Sequence, residues 1–424
     1  MSIIIKQGLL ADPSQGLCDV RDVLIEKGKI ARIADRITNN AEQVIDAKGL
    51  VVMPGIVDMH AHLREPGRED KETVETATQA ALAGGITSVL AMPNTTPCID
   101  SAQTVGLLQK RIQKTARINV FIAGAITKNR KGHALTDIEG LYNKSVPAFT
   151  DDGSSVDDEK LLTAAFNICR RTKAFIICHC EDTALSDGGS VNKGFVSTSM
   201  GLRGISKESE YKRVERDIKI AELAGARIHI AHVSCAESVD FIRQAKARGV
   251  KVTAETCPHY LMLCEDDVRD FDTNKKMNPP LRSADDRQVL RQAVIDGVID
   301  VISTDHAPHT ENEKDIEFER AAFGVIGLET MLPAALTALY GNNSADMTKI
   351  AQACSTRPAR ILGLDKGGIA VGRDADITIF DPNREWVVEK RGIVSKSKNS
   401  AFLGMRLRGK VMLTILNGVV AYRA

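Results

Sequence analysis

The stretch Val51-Val52-Met53-Pro54-Gly55-Ile56-Val57-Asp58-Met59-His60-Ala61-His62-Leu63-Arg64 is an apolar run that ends in two histidines and an arginine. Its first part, Val51–Asp58, reads as a buried strand. Successive side chains on a strand alternate between faces, so His60 and His62 point the same way, with Cα atoms about 6–7 Å apart. That spacing lets both imidazoles reach one metal ion. Two surface histidines produce the same spacing by chance, so the position carries the information. A buried strand stops here, and Glu65, Pro66 and Gly67 follow at once.

Seven more segments read as short buried strands: Thr87–Asn94, Asn119–Thr127, Pro147–Asp152, Ala174–Glu181, Arg227–Ser234, Lys251–Cys257 and Val298–Asp305. Most are separated by helical periodicity, over Glu69–Gly84, Ala102–Ala116, Asp157–Thr172, Ser209–Ala224, Ala236–Arg248 and Ala284–Asp296. Only the third crossover is thin, with room for a short helix in His133–Lys144. Strand–helix alternation implies a parallel sheet, and near-continuous apolar strands imply helices on the outer face. Eight units predict a (β/α)₈ barrel of the TIM type. Both ends read instead as strands with glycine turns. The simplest division is a barrel over 53–365 inserted into a small β-sandwich-like domain built from residues 1–52 and 366–424.

Composition narrows the function classes. The chain has 424 residues, 43% hydrophobic and 26% charged, as in ordinary globular proteins. A net charge of +1 gives no bulk electrostatic drive toward nucleic acid or a membrane surface. No apolar stretch approaches the roughly 20 residues that span a bilayer. The start, Met1–Lys6, lacks the features of a signal peptide, so a cytoplasmic protein is expected. The nine cysteines are scattered and odd in number, which predicts reduced thiols.

Active sites of such barrels lie at the C-terminal ends of the strands. Seven of the nine histidines fall there, His133 and His229 being the exceptions. His60 and His62 with Asp305 can hold one divalent cation, and His179 and His232 a second. Asp151 or Asp152, at the end of the fourth strand, can bridge them. Imidazole and carboxylate suit zinc. Two such ions lower the pKa of a shared water and polarise a carbonyl, which is amide-opening chemistry. Asp305 can also take the proton of the attacking water and pass it to the leaving nitrogen. A single buried histidine is more often a core residue, and that reading is kept for His259 and His306; Asp151 can simply cap a turn. Arg64 and Asn94 have bland readings too, as a surface ion pair and a turn cap.

Asp58-Met59-His60-Ala61-His62-Leu63-Arg64-Glu65-Pro66-Gly67 resembles the signature of the dihydroorotases within the amidohydrolase superfamily. Ala91–Thr95, Phe149–Gly153, His179–Asp182 and Ser303–His309 resemble it as well. The resemblance implies His60, His62 and Asp305 on the more buried zinc and His179 and His232 on the second. Many superfamily members bridge the metals with a carboxylated lysine. Lys144 and Lys160 are not placed for this, and the chain resembles the branch with a bridging aspartate, here Asp152. The resemblance also implies that Arg64, Asn94 and His309 meet a substrate carboxylate, and that His62, Asn278, Phe323 and Gly324 contact substrate. The expected reaction is reversible conversion of N-carbamoyl-L-aspartate to L-dihydroorotate plus water, in pyrimidine synthesis. A homodimer and association with aspartate transcarbamoylase are implied by the same likeness. Two alternatives remain: another cyclic amidase of the allantoinase or hydantoinase type, or a non-catalytic scaffold of aspartate transcarbamoylase. The charged segment Thr310–Ala322 reads as a mobile lid or as a solvated loop.

Overall fold

The computed structural model describes residues 2–340 and 347–424. Eight parallel strands stand in chain order: Ile56–Ala61, Ile86–Ala91, Asn119–Gly124, Ala148–Phe149, Phe175–Cys178, Ile228–Ile230, Val252–Thr256 and Val301–Ile302. The ring closes where Ala61 pairs with His306 and His62 N donates to His306 O at 2.8 Å. The expected barrel is therefore present, with the short fourth and eighth strands as its thinnest staves.

The crossover helices follow their sequence signals. Val74–Ala83 starts at Thr73, whose hydroxyl accepts from Thr76 N, and Ala102–Thr115 starts at Ser101 in the same way. Asp158 caps Glu159–Thr172 through the N–H groups of Lys160 and Leu161. Such caps satisfy the free N–H groups of a first turn. Glu208–Ala224, Ala236–Ala247 and Ala284–Ile295 lie within a residue of expectation at each end. The third crossover holds a 3₁₀ turn, Lys128–Arg130, and one short helix, Ile138–Tyr142.

One strand divides. The apolar run from Val51 is two strands, Val51–Pro54 and Ile56–Ala61, split at Gly55. A Cβ on Gly55 would sit 2.2 Å from Thr87 Oγ1, so only glycine lets the chain pass this close to the second barrel strand. Val51–Pro54 pairs with Ile377–Phe380 and joins the terminal sheet. That sheet has eight strands from both ends of the chain, ordered Val419–Arg423, Arg406–Leu416, Ile377–Val387, Val51–Pro54, Ser2–Asp12, Leu17–Glu26 and Lys29–Ala34, with Gln43–Asp46 also on Ser2–Asp12. Ile3, Ile25, Val52, Ile377 and Ile415 form its separate core. All nine cysteines are free, as expected. Among the described residues no helix is long and apolar enough to cross a membrane.

Candidate metal centre and active site

The C-terminal ends of the strands gather the expected residues into one buried cluster. Asp152 sits at its middle. Its Oδ1 lies 3.3 Å from His60 Nε2, 3.5 Å from His232 Nε2 and 3.7 Å from His179 Nδ1, and its Oδ2 lies 3.4 Å from His62 Nε2. Asp305 Oδ1 lies 3.1 Å from His62 Nε2 and 3.5 Å from His60 Nε2. Asp151 turns away: its carboxylate accepts from Thr127 N at 3.0 Å and from the Thr127 hydroxyl, which is the turn-capping role. His259 and His306 stay outside the cluster as buried residues, and His306 Nδ1 accepts from Gly327 N at 3.2 Å.

Sharp backbone turns place several of these groups. Arg64, His232 and Asp305 have positive φ values of 62°, 33° and 46°. The left-handed region costs a non-glycine residue roughly 1–3 kcal/mol, and such residues cluster at functional sites. Here the turns fall where three strands end.

The donor set fits a divalent cation. His60 Nε2 and Asp152 Oδ1 are buried with no hydrogen-bond partner. His60, Asp152 and His232 each offer a ligand atom within 4.8 Å of the others, and so do His60, His62 and Asp305. Unpaired buried nitrogen and carboxylate oxygen are costly unless something binds them. The electrostatics agree. Burial opposes a charged His60, yet Asp152, Glu255 and Asp305 hold its pKa well above the usual range. Burial likewise opposes charge on His179, but Asp152 and Glu181 raise its pKa to about 10. Burial would raise Asp305, and His60 and His62 pull it down to about 2. The carboxylates thus outweigh burial at His60 and His179, whereas burial lowers the pKa of His62.

Some partners had not been singled out. Glu255, fully buried on the seventh strand, lies 2.6 Å from His60 Nδ1 and 3.2 Å from His229 Nε2, and accepts from Ser303 Oγ at 2.7 Å. It turns His60 so that Nε2 faces the cluster, the carboxylate–histidine arrangement that supports metal ligands. A charged residue inside a buried strand was the available signal. Glu181 Oε2 lies 3.1 Å from His179 Nε2 and accepts from Asn278 Nδ2 at 2.9 Å. Asn278 therefore reaches the site beside His179.

Arg64 lines the other side. Its Nε donates to Pro308 O at 3.1 Å, and its Nη2 lies 3.4 Å from His309 Nε2. Burial lowers its pKa to about 10, which leaves it a cation at neutral pH. Asn94 is not beside Arg64's guanidinium in a hydrogen bond; its Oδ1 lies 2.8 Å from His62 Nδ1, leaving His62 Nε2 toward the carboxylates. Phe323 O is 2.8 Å from His309 Nε2. Gly324 has φ 121°, and a Cβ there would lie 2.6 Å from Ala307 Cβ. Its N–H is donated to Lys276 O at 3.0 Å. Asn399, from the C-terminal part of the chain, bridges Ala307 O and Gly324 O at 3.2 Å each. The segment after Pro308 is neither bare nor wholly solvated: Glu311–Lys314 forms a helical turn, and Lys314 is buried with Nζ on Ala322 O and Gly324 O.

A family model described as Dihydro-orotase-like matches residues 49–238, and one described as Amidohydrolase family matches 327–422. The chain is 48% identical to the dihydroorotase of Elusimicrobium minutum (strain Pei191) over 418 residues, covering 99% of this chain and 97% of that one. It is 45% identical to the dihydroorotase of Geobacter sp. (strain M21) over 425 residues, covering all of both. The chain belongs to the dihydroorotase family. It is a hydrolase acting on cyclic amides, and its family implies dependence on a metal. Among solved structures it is similar to the L-hydantoinase (dihydropyrimidinase) of Arthrobacter aurescens, with a TM-score of 0.88 and 26% identity over 99% of this chain and 95% of that one. A D-hydantoinase has a TM-score of 0.86 and 27% identity over the same shares. The hydantoinase alternative thus rests on much lower identity than the dihydroorotase assignment.

Proposed function

We infer that the chain interconverts L-dihydroorotate and N-carbamoyl-L-aspartate, a step of pyrimidine synthesis. The observation that carries this reading is the approach of the Arg64 guanidinium and the His309 ring, with Nη2 and Nε2 3.4 Å apart, beside the histidine–carboxylate cluster. A ring amide at the cluster then has a place for a carboxylate next to it. Arginine offers a fork matched to a carboxylate, and neither allantoin nor hydantoin would use it.

The proposed metal is zinc, held by His60, His62 and Asp305 and by His179 and His232, with Asp152 between the two groups. Zinc there supplies a Lewis acid for the ring carbonyl and a water made nucleophilic near neutral pH. Asp305, anionic because His60 and His62 hold its pKa at about 2, is the proposed proton carrier between that water and the ring nitrogen. Arg64 and His309 orient the ring through its carboxylate, with Asn94 setting the His62 ring. His62, Asn278 and the backbone of Phe323 and Gly324 are proposed to hold the ring.

By resemblance we propose a cytoplasmic homodimer able to associate with aspartate transcarbamoylase; light scattering of the protein alone and mixed with that enzyme tests both. The catalytic reading is tested with zinc-loaded protein and its Asp305→Asn variant. The parent should convert each compound into the other. The variant should lose turnover by at least about 10²-fold while keeping bound zinc, as expected for a lost general acid–base. Full activity in the variant would remove Asp305 from the mechanism, and no turnover of either compound by the zinc-loaded parent would remove the assignment.

A further inference from the structure

Lys71 is a buried lysine just before the first crossover helix. Its Nζ lies 2.8 Å from Glu313 Oε1 and 3.0 Å from His309 Nδ1. An ammonium has three donors and no acceptor, so the Nδ1 it touches must be the lone-pair nitrogen of the ring. A neutral imidazole carries one proton, and the other nitrogen must then hold it. That nitrogen, Nε2, lies 2.8 Å from Phe323 O, which can only accept. These two contacts agree on one tautomer, and they are shorter than the two that favour the other, Glu313 Oε2 at 3.4 Å from Nδ1 and Arg64 Nη2 at 3.4 Å from Nε2.

We propose that Lys71 is a positioning residue that holds His309 as its Nε2-protonated tautomer, so that Nε2, hydrogen-bonded to Phe323 O, presents no lone pair to the carboxylate pocket. The proposal rests on the carboxylate-pocket reading for its functional consequence, but the tautomer itself does not. With Nε2 protonated, His309 and the Arg64 Nη2 at 3.4 Å are two donors facing one another. Neither can satisfy the other: Phe323 O already meets the Nε2–H, and a carboxylate oxygen satisfies the guanidinium and shares the Nε2–H with Phe323 O. With Nδ1 protonated, Nε2 would bare its lone pair toward Phe323 O and any incoming carboxylate, which is repulsive on both counts.

The surroundings hold the ring neutral. Burial lowers the His309 pKa, and the charges of Arg64, Lys71 and Lys314 lower it further, to about 3, against the opposing Glu313. Lys71 is itself fixed at its far end. Glu313 Oε1 also meets Arg68 Nη2 at 2.9 Å, and Glu313 Oε2 accepts from Thr310 N at 3.0 Å. The line Glu313–Lys71–His309–Phe323 therefore ties the helical turn after the eighth strand to the loop after the first.

The test uses full-length, zinc-loaded protein with ¹⁵N-labelled histidine, free of substrate. His309→Asn identifies the His309 signals in a long-range ¹H–¹⁵N spectrum. The expected result is one tautomer, with Nε2 in the protonated, pyrrole-like range and Nδ1 in the pyridine-like range. A protonated Nδ1, or an even mixture, overturns the proposal with no variant needed. In Lys71→Met the Nδ1-protonated form should become populated, and KM for dihydroorotate should rise about tenfold, the size of one charge-assisted hydrogen bond, with kcat little changed. Lys71→Arg should restore the tautomer. An unchanged tautomer in Lys71→Met overturns the role of Lys71. Loss of the dihydroorotate reading would leave the spectrum as expected and abolish only the KM effect, so the two failures are distinguishable.

Discussion

Replacing Glu255 by Gln tests whether the cluster at the strand ends is a metal centre supported from behind. The side chain is fully buried, with one oxygen 2.6 Å from His60 Nδ1 and the other 3.2 Å from His229 Nε2 and 2.7 Å from Ser303 Oγ. Glutamine keeps the shape and loses the charge. At the His60 end it presents either an amide oxygen, a weaker acceptor, or an N–H group that clashes with Nδ1–H. The His60 ring then loses basicity and its fixed orientation. Loss of such a supporting carboxylate typically weakens metal binding about 10–100-fold, or about 1.4–2.8 kcal/mol. Removing one anion from a cavity that also holds Asp152 and Asp305 acts in the same direction, because it lowers the attraction for a cation. The assay is zinc competition against a chromophoric chelator, with turnover measured at limiting and saturating zinc. Affinity should fall in the stated range, and activity should largely recover at saturating metal. Unchanged zinc affinity would refute the idea that Glu255 orients a ligand.

Arg64→Lys should raise KM for dihydroorotate by about 10–100-fold with kcat within about threefold, because lysine cannot make the forked contact and loses the bond to Pro308 O; an unchanged KM would count against the carboxylate pocket. Asp152→Asn should lower the zinc content of the purified protein, whereas Asp151→Asn should leave it intact, since Asp151 is occupied by Thr127; the opposite pattern would exchange their roles. Chelation should lower the melting temperature reversibly. Zinc at about a thousandfold above its dissociation constant stabilises the native state by about 4 kcal/mol, and no shift on chelation would mean that the cluster does not bind it.

The parts of the molecule that could be read from sequence share a physical reason. Strand and helix periods are local, so the number and order of the eight strands and the crossover helices show in the sequence, although the strands are shorter than their apolar runs, down to Ala148–Phe149 and Val301–Ile302, and the first helix starts at Val74, not Glu69. The strand-end histidines were legible because a barrel brings all strand ends to one rim. What escaped depends on distant neighbours. The Val51–Asp58 run gives no hint that Gly55 hands the chain from one sheet to another, since the reason lies in Thr87. Glu255 looks like one carboxylate in a strand until His60, 195 residues earlier, is packed against it. Lys71 sits among Asp70, Glu72 and Thr73 and reads as the charged start of a helix, while its partner His309 is 238 residues away. Asn399 belongs by position to the terminal strands, yet holds the backbone of Ala307 and Gly324. The run Thr310–Ala322 looked solvated because its charges are dense; in the fold Lys314 points inward to carbonyl oxygens.

The most direct test compares L-dihydroorotate with dihydrouracil, the same ring without the carboxylate, as substrates of the zinc-loaded protein. If the Arg64–His309 pocket beside the metal centre defines the substrate, kcat/KM should favour dihydroorotate by about 100-fold or more, the scale expected when a buried charge loses its partner. Equal turnover of the two, or preference for dihydrouracil, would contradict the assignment.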